Sequence, residues 1–379
     1  MHRPRFLDGD TSFLIALALL VALGLLFLSS ASAPLAFDRF GNRSYYLEHQ
    51  LLTGVVPGVL LFFIASRVRP AALQRFAVPS FAFGILLLLL VFVPGLGVVY
   101  NHARSWLAFG PLTFQPVELM KLGLILAFAA WATVRRPRWF SLISWTQGFL
   151  PFLGAFGVVA FLLALQPDVG SLVIVGAIAV TMAFAAGMPL RHLAMLAGLA
   201  ALALASLIAK APYRLARLTV FLHPELDPQG VGYQVNQALL AVGSGGIFGV
   251  GLGHSRQKFA FLPEVISDSI FAVIGEELGF IWTVAFLVLF GYVIWRVVRG
   301  ALHTRDAFDR LVLIGIAAWW AVQALVNVGA MVGLLPLTGL PLPFVSSGGT
   351  SLAVTLGAAG IVLAMSQRVE EHDRGPVRR

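Results

Sequence analysis

Phe13-Leu14-Ile15-Ala16-Leu17-Ala18-Leu19-Leu20-Val21-Ala22-Leu23-Gly24-Leu25-Leu26-Phe27-Leu28-Ser29-Ser30-Ala31-Ser32-Ala33 runs for twenty-one residues without a charge. A helix of that length rises roughly 30 Å, the thickness of a bilayer's hydrocarbon core. In lipid a single segment must satisfy its own backbone, so the run reads as a transmembrane helix. A second such run covers Phe81 to Val99. The first run is too long, and followed by too many others, for a cleaved signal peptide. With hydrophobic residues at 59% and charged residues at 11%, the chain is expected to be an all-α polytopic membrane protein. About ten spans are predicted, at 12–32, 50–66, 77–99, 117–134, 146–165, 170–186, 190–209, 269–298, 311–334 and 350–366.

The net charge of +9 reads as topology, with no nucleic acid implied. With both termini inside, 17 of the 26 basic residues fall on inner segments, from Arg3 and Arg5 through Arg135, Arg136 and Arg138 to Arg378 and Arg379. Five others, Lys210, Arg214, Arg217, Arg256 and Lys258, share one long outer loop, and long loops report orientation poorly. Cysteine is absent, which removes disulfides and thiolate chemistry.

No linker or convincing repeat divides residues 1–379, so one integral membrane domain is expected, with a large extracytoplasmic loop at about 210–268. That loop offers turn signals at His223-Pro224 and Asp227-Pro228-Gln229-Gly230, an amphipathic helix from Tyr233 to Val242, and a glycine-rich stretch from Gly243 to Gly253. Leu218 to Leu222 is apolar enough to rest on the membrane surface. The uncharged, proline-rich segment Leu335 to Gly349 cannot be regular helix. At membrane depth such backbone survives only when buried in protein or lining a wet cavity.

Several familiar chemistries find no support. Gly249-x-Gly251-x-Gly253 lacks the strand and helix of a dinucleotide fingerprint and the Gly-Lys-Ser/Thr of a P-loop. The eight histidines form no ligand pair, and no Gly-x-Ser-x-Gly turn occurs.

Ionisable groups near lipid are costly and are usually paired or functional. Leu262 through Glu277 holds four of them: Glu264, Asp268, Glu276 and Glu277. Glu276 and Glu277 fall about two turns into the eighth span and are expected to be structural, paired with an Arg or Lys of a neighbouring span. Asp268 stands at the loop–helix junction, either as an N-cap or as a catalytic base. Glu118 and Lys121 are one helical turn apart, as an ion pair or as a head-group contact that Glu118 orients. Asp168 follows Gln166-Pro167 and suits an N-cap, a use compatible with others. With Arg104, Trp106, Gln115, Arg214 and Arg217, these residues predict an outward-facing polar cavity. Its ligand combines an anionic group with an apolar part, as a lipid-linked phosphate does.

The motifs Arg104-Ser105-Trp106-Leu107, Phe114-Gln115-Pro116-Val117-Glu118-Leu119-Met120-Lys121 and Gln166-Pro167-Asp168-Val169-Gly170 stand in order along the chain. Gly232-Tyr233-Gln234, Gly243-Ser244-Gly245-Gly246, Leu262-Pro263-Glu264 through Gly279, and Gly339-Leu340-Pro341-Leu342-Pro343-Phe344 follow. Over most of its length the chain thus resembles the SEDS family (shape, elongation, division and sporulation), whose members include RodA and FtsW. The resemblance implies a peptidoglycan glycosyltransferase that polymerises lipid II at the outer face of the cytoplasmic (inner) membrane. It implies a class B penicillin-binding protein as partner, through spans 8 and 9, beside other elongation-complex proteins and membrane lipids. It also implies that Asp268 is the essential aspartate, with Glu118, Lys121 and Asp168 in the central cavity.

Ser267-Asp268-Ser269 replaces the family's usual Thr-Asp-Phe, and Ser346-Ser347-Gly348-Gly349 its Ser-Tyr-Gly-Gly. Thr338 before Gly339 resembles RodA, whereas Gly251 through Lys258 resembles FtsW; the expectation is the RodA branch, serving elongation and rod shape. In the implied mechanism Asp268 deprotonates or orients the acceptor hydroxyl. Lys121, Arg214 or Arg217 stabilises the pyrophosphate, a task a divalent cation (Mg or Mn) could share. No metal ligand set is assigned. The rival readings are a lipid II flippase, which needs polar groups in the inner half of the bundle, and a scaffold that recruits the penicillin-binding protein.

Overall fold

The computed structural model describes residues 10–100, 103–110, 112–133, 144–209, 212–223, 230–259 and 261–373. Lys210, Arg135, Arg136, Arg138 and the Asp227-Pro228 turn lie outside them. Among the described residues nine helices are long and apolar enough to cross a membrane, and a tenth, Val169–Ala185, is apolar but shorter.

In chain order these are α1 (Thr11–Phe40), the pair α2 (Tyr45–Gln50) and α3 (Val56–Arg67) joined by a π-turn, and α4 (Pro70–Leu90). Next come α5 (Pro116–Thr133), α6 (Leu150–Leu165, entered through a π-turn), α7 (Val169–Ala185) and α8 (Leu190–Ala209). The loop helices α9 (Pro212–Leu222) and α10 (Val231–Ser244) precede α11 (Ile270–His303), α12 (Ala307–Met331) and α13 (Gly349–Asp373). Asp10 at the start of α1 and Ser366 of α13 line one cavity with Arg296 and His303 of α11, so the beginning and end of the described bundle lie together. The long loop marks the opposite, loop end.

Local chemistry sets the boundaries. Asp10 caps α1 by accepting the Phe13 N–H at 3.1 Å, and Gly41, at φ 69°, closes it with a bond to the Phe37 carbonyl. Pro70 at the first turn starts α4 earlier than hydropathy suggests.

The predicted span 77–99 is corrected at its far end: the helix stops at Leu90, and Gly97–Tyr100 becomes β1. With β2 (Ala103–Phe109) and β3 (Leu112–Phe114) it makes an antiparallel sheet in the order β1-β2-β3, with Val98 opposite Trp106 and Leu107 opposite Phe114. Leu107 seals the sheet onto Leu87 and Val91. The helical membrane fold thus carries one small sheet at its loop end.

Helices α5, α12 and α13 are the most enclosed, while α3, α4 and α8 turn apolar faces outward. Glycine brings neighbouring backbones together where lipid supplies no hydrophobic drive: a Cβ at Gly360 of α13 would meet the Phe62 carbonyl of α3.

The eighth span is corrected too. At Gly279 the backbone leaves helical geometry (φ 71°, ψ −176°), splitting Ile270–Leu278 from the long segment that follows. The freed amides of Phe280 and Ile281 bond the carbonyls of Gly246 and Ile247, and Val250 and Gly251 bond the carbonyls of Glu276 and Glu277. The glycine-rich loop is therefore a backbone interlock.

Candidate active site

Lys121 is buried on α5, and its Nζ lies 2.7 Å from Glu118 Oε1, also buried. The ammonium donates to Gln323 Oε1 at 3.0 Å and stands 4.5 Å from the centre of the Trp319 ring, both on α12. Ser351 of α13 donates to the second Glu118 oxygen at 3.3 Å. Two acceptors and an aromatic face thus surround the cation, the kind of pairing that burial of an ion demands.

Asp168 caps α7: its carboxylate accepts the Ser171 N–H at 2.9 Å and the Ser171 hydroxyl at 2.7 Å. It is close enough to act electrostatically on both Lys121 and Glu118.

Asp268 lies in the turn before α11 and is 7% exposed. Gln234 of α10 donates to its Oδ1 at 3.4 Å and to Ser269 Oγ at 3.0 Å. The Asp268 carboxyl is pushed up to about 7, chiefly by burial and then by the charge of Glu264; Gln234 and Arg217 pull it the other way. The N-cap role considered for Asp268 falls to the neighbouring position, Ser269, which makes no side-chain capping bond.

The irregular segment after α12 packs against this turn. Ser347 N–H bonds the Ile266 carbonyl at 2.8 Å, Ser346 Oγ donates to the Ser267 carbonyl, and Gly339 lies beside Asp268 Oδ2. A glycine there leaves the carboxylate a free flank that a side chain would fill.

The remaining candidates scatter. Arg217, half-buried on α9, is near enough to influence Asp268; the Arg214 side chain lies outside the described part. Glu264, in left-handed backbone at φ 52°, accepts from Ser267 Oγ at 2.8 Å. Gln115 contributes its carbonyl to the Glu118 N–H at the start of α5. Trp106 packs edge-on against Tyr100, and Arg104 hydrogen-bonds the Val93 carbonyl at 3.5 Å, tying the sheet to the preceding turn.

Glu276 and Glu277 precede the Gly279 break, outside the membrane-length part of α11. Among the described residues their partners are not a neighbouring span's Arg or Lys. Glu276 accepts from Ser255 Oγ and from the backbone N–H groups of Arg256 and Gln257. Glu277 pairs with loop Lys258 at 2.7 Å and accepts the Ser30 hydroxyl of α1. Both acids staple the loop to the bundle.

Gln323 and Asn327, four apart on α12, join the site without a motif of their own. Their signal in the sequence is a pair of amides at helical spacing within an otherwise apolar span.

Residues 10–371 match the cell cycle protein family that comprises FtsW, RodA and SpoVE. Stage V sporulation protein E of Bacillus subtilis (strain 168) is 37% identical over 94% of this chain and 97% of its own. A probable peptidoglycan glycosyltransferase FtsW of Nitrosococcus halophilus (strain Nc4) is 39% identical over 97% and 93%. Among solved structures, the Thermus thermophilus rod shape determining protein RodA aligns at TM-score 0.71 with 32% identity, over 96% of this chain and 98% of that one. A chain from a peptidoglycan synthase complex that coordinates polymerization and crosslinking aligns at 0.76 with 34% identity, over 96% and 98%. Agreement over nearly the whole length, in sequence and in fold, leaves one conclusion: this multi-pass membrane protein belongs to the FtsW/RodA/SpoVE family.

Proposed function

We propose that the protein is a peptidoglycan glycosyltransferase that polymerises lipid II at the outer face of the cytoplasmic membrane, with both termini inside. The observation that carries the reading is Asp268: a buried carboxyl pushed up to about 7 at the loop end. A base whose pKa lies near ambient pH is both deprotonated enough to act and basic enough to take a proton.

In the proposed step a sugar hydroxyl of one lipid-linked disaccharide attacks the anomeric carbon of the growing strand. The glycosidic C–O bond forms, the bond to the pyrophosphate breaks, and the hydroxyl proton passes to the Asp268 carboxylate. Lipid-linked pyrophosphate leaves. Lys121, held by Glu118, Gln323 and the Trp319 face, and Arg217 supply positive charge for it. Among the described residues no group of three or more His, Asp or Glu side chains converges to hold a metal ion, so any divalent cation that takes part would be held chiefly by the substrate phosphates and would neutralise charge developing on the leaving group.

The exposed apolar face of α11, including Phe280, Trp282 and Val288, is the surface proposed for the transmembrane helix of a class B penicillin-binding protein. Thr338 supports the elongation branch, and the relatives named FtsW set division as the alternative. Rescue of rod shape or of septation in cells depleted of the respective polymerase decides between them.

The direct test is glycan synthesis from lipid II by the purified protein, with and without Mg or Mn. Loss in Asp268→Ala with retained folding supports the reading. Wild-type polymer from that variant, or lipid II translocation without polymer from the native protein, overturns it.

A further inference from the structure

Gln323 and Asn327 sit one turn apart on α12 and are 1% and 2% exposed. A buried amide costs several kcal/mol unless bonded, and these two bond in a pattern that spans the site. Gln323 Oε1 accepts from Lys121 Nζ at 3.0 Å and from Trp319 Nε1 at 2.8 Å, while its Nε2 donates to the Pro341 carbonyl at 2.9 Å. Asn327 Nδ2 donates to the Asp268 carbonyl and to the Leu340 carbonyl, each at 2.8 Å. Both of its N–H groups are thereby used and its orientation is set. Its Oδ1 is buried and meets no hydrogen-bond donor among the described residues.

The consequence is mechanical. Lys121 and Asp268 lie on elements far apart in sequence, yet each is bonded to the same stiff helix. The loop between them is held at successive carbonyls, Leu340 and Pro341, by the two amides. Ser346 adds a third tie: its hydroxyl accepts the Leu342 N–H at 2.8 Å and donates to the Ser267 carbonyl. The main chain on either side of the Asp268 carboxyl therefore has little freedom. Simple packing would be served by leucine at both positions without two buried amides.

We infer that Gln323 and Asn327 are positioning residues, which fix the Lys121 ammonium and the Asp268 turn in one register along α12 so that leaving-group charge and acceptor proton are met together. The inference rests on the proposed transferase reading. Asn327 touches neither reacting atom; it acts through the Asp268 main chain. Misplacing a catalytic group by about 1 Å can cost on the order of 100-fold in rate.

The test is lipid II polymerisation by the purified full chain, with kcat and KM measured separately. In Asn327→Leu, kcat falls by about 10- to 100-fold while KM stays within about threefold. Asn327→Ser keeps a hydroxyl that can donate to one of the two carbonyls, and recovers part of the loss in kcat. A folded Asn327→Leu protein with wild-type kcat overturns the inference. So does a fall in kcat with a proportional rise in KM and no recovery in Asn327→Ser, the mark of packing alone. If Asn327→Leu does not fold, Asn327→Ser against wild type carries the same comparison. Asp268→Asn separates the two levels. Activity in that variant refutes the base itself, whereas an inert Asp268→Asn beside a wild-type-like Asn327→Leu refutes only the positioning role.

Discussion

An aspartate in water gives up its proton near pH 4, whereas Asp268 holds it to about 7, because burial removes water from the carboxylate and Glu264 adds a like charge. Between those values the folded chain keeps a proton that the unfolded chain releases. Asp268 therefore contributes stability that is full below the unfolded pKa and is lost as pH rises through about 7. Above pH 7 the lost stability is on the order of 4 kcal/mol. Asp268→Asn should melt higher than wild type near pH 8 and match it near pH 4, while losing about 100- to 10,000-fold in polymerisation rate. A melting difference that does not change with pH would refute the burial account.

Glu118 and Lys121 offer a second residue-scale test. Removing one member of a buried pair leaves the other uncompensated, at about 3–5 kcal/mol. Lys121→Met and Glu118→Gln should each lower the melting temperature, and the double variant should recover part of the loss. Additive losses would show that the pair is not coupled.

Among the elements, α11 and the glycine-rich loop depend on one another. Gly279 takes φ 71°, and a Cβ there would run into the backbone of Gly249; Gly249, at φ 83°, would run into Glu277 and Leu278. Gly279→Ala should therefore destabilise by at least about 1–3 kcal/mol in detergent melts. Gly291→Ala, on the same helix with nothing within 4 Å, should be neutral or slightly stabilising. Equal effects at both positions would remove the interlock from the account. The glycines were legible as a turning segment, but their partner was not, since the bonds cross some thirty residues to a break that hydropathy hides. The small sheet was hidden for a related reason. Its strands are four, seven and three residues long, and the first continues the apolar run of α4, so composition does not mark where helix becomes strand.

At the scale of the whole molecule, the arrangement predicts sidedness. The chain has no cysteine, so single cysteines introduced at Glu264 and Arg305 report their own exposure. A membrane-impermeant thiol reagent applied outside intact cells should label the first and reach the second only after lysis. The reverse pattern would invert the topology and remove the proposed access to lipid II.

The apolar spans were legible in sequence alone, because a bilayer accepts only long segments that satisfy their own backbone, and the collection of basic residues on one side is what the proposed direction rests on. These are local properties, and residue order records them. The Glu118–Lys121 pair was legible for the same reason, being one helical turn apart. What tertiary structure alone decided is which charges meet. It placed Arg104 on the Val93 carbonyl, turned Glu276 and Glu277 into staples, and put Gln323 and Asn327 between Lys121 and Asp268. Such contacts join segments up to hundreds of residues apart, and the desolvation that makes Asp268 basic arises only when those segments close around it.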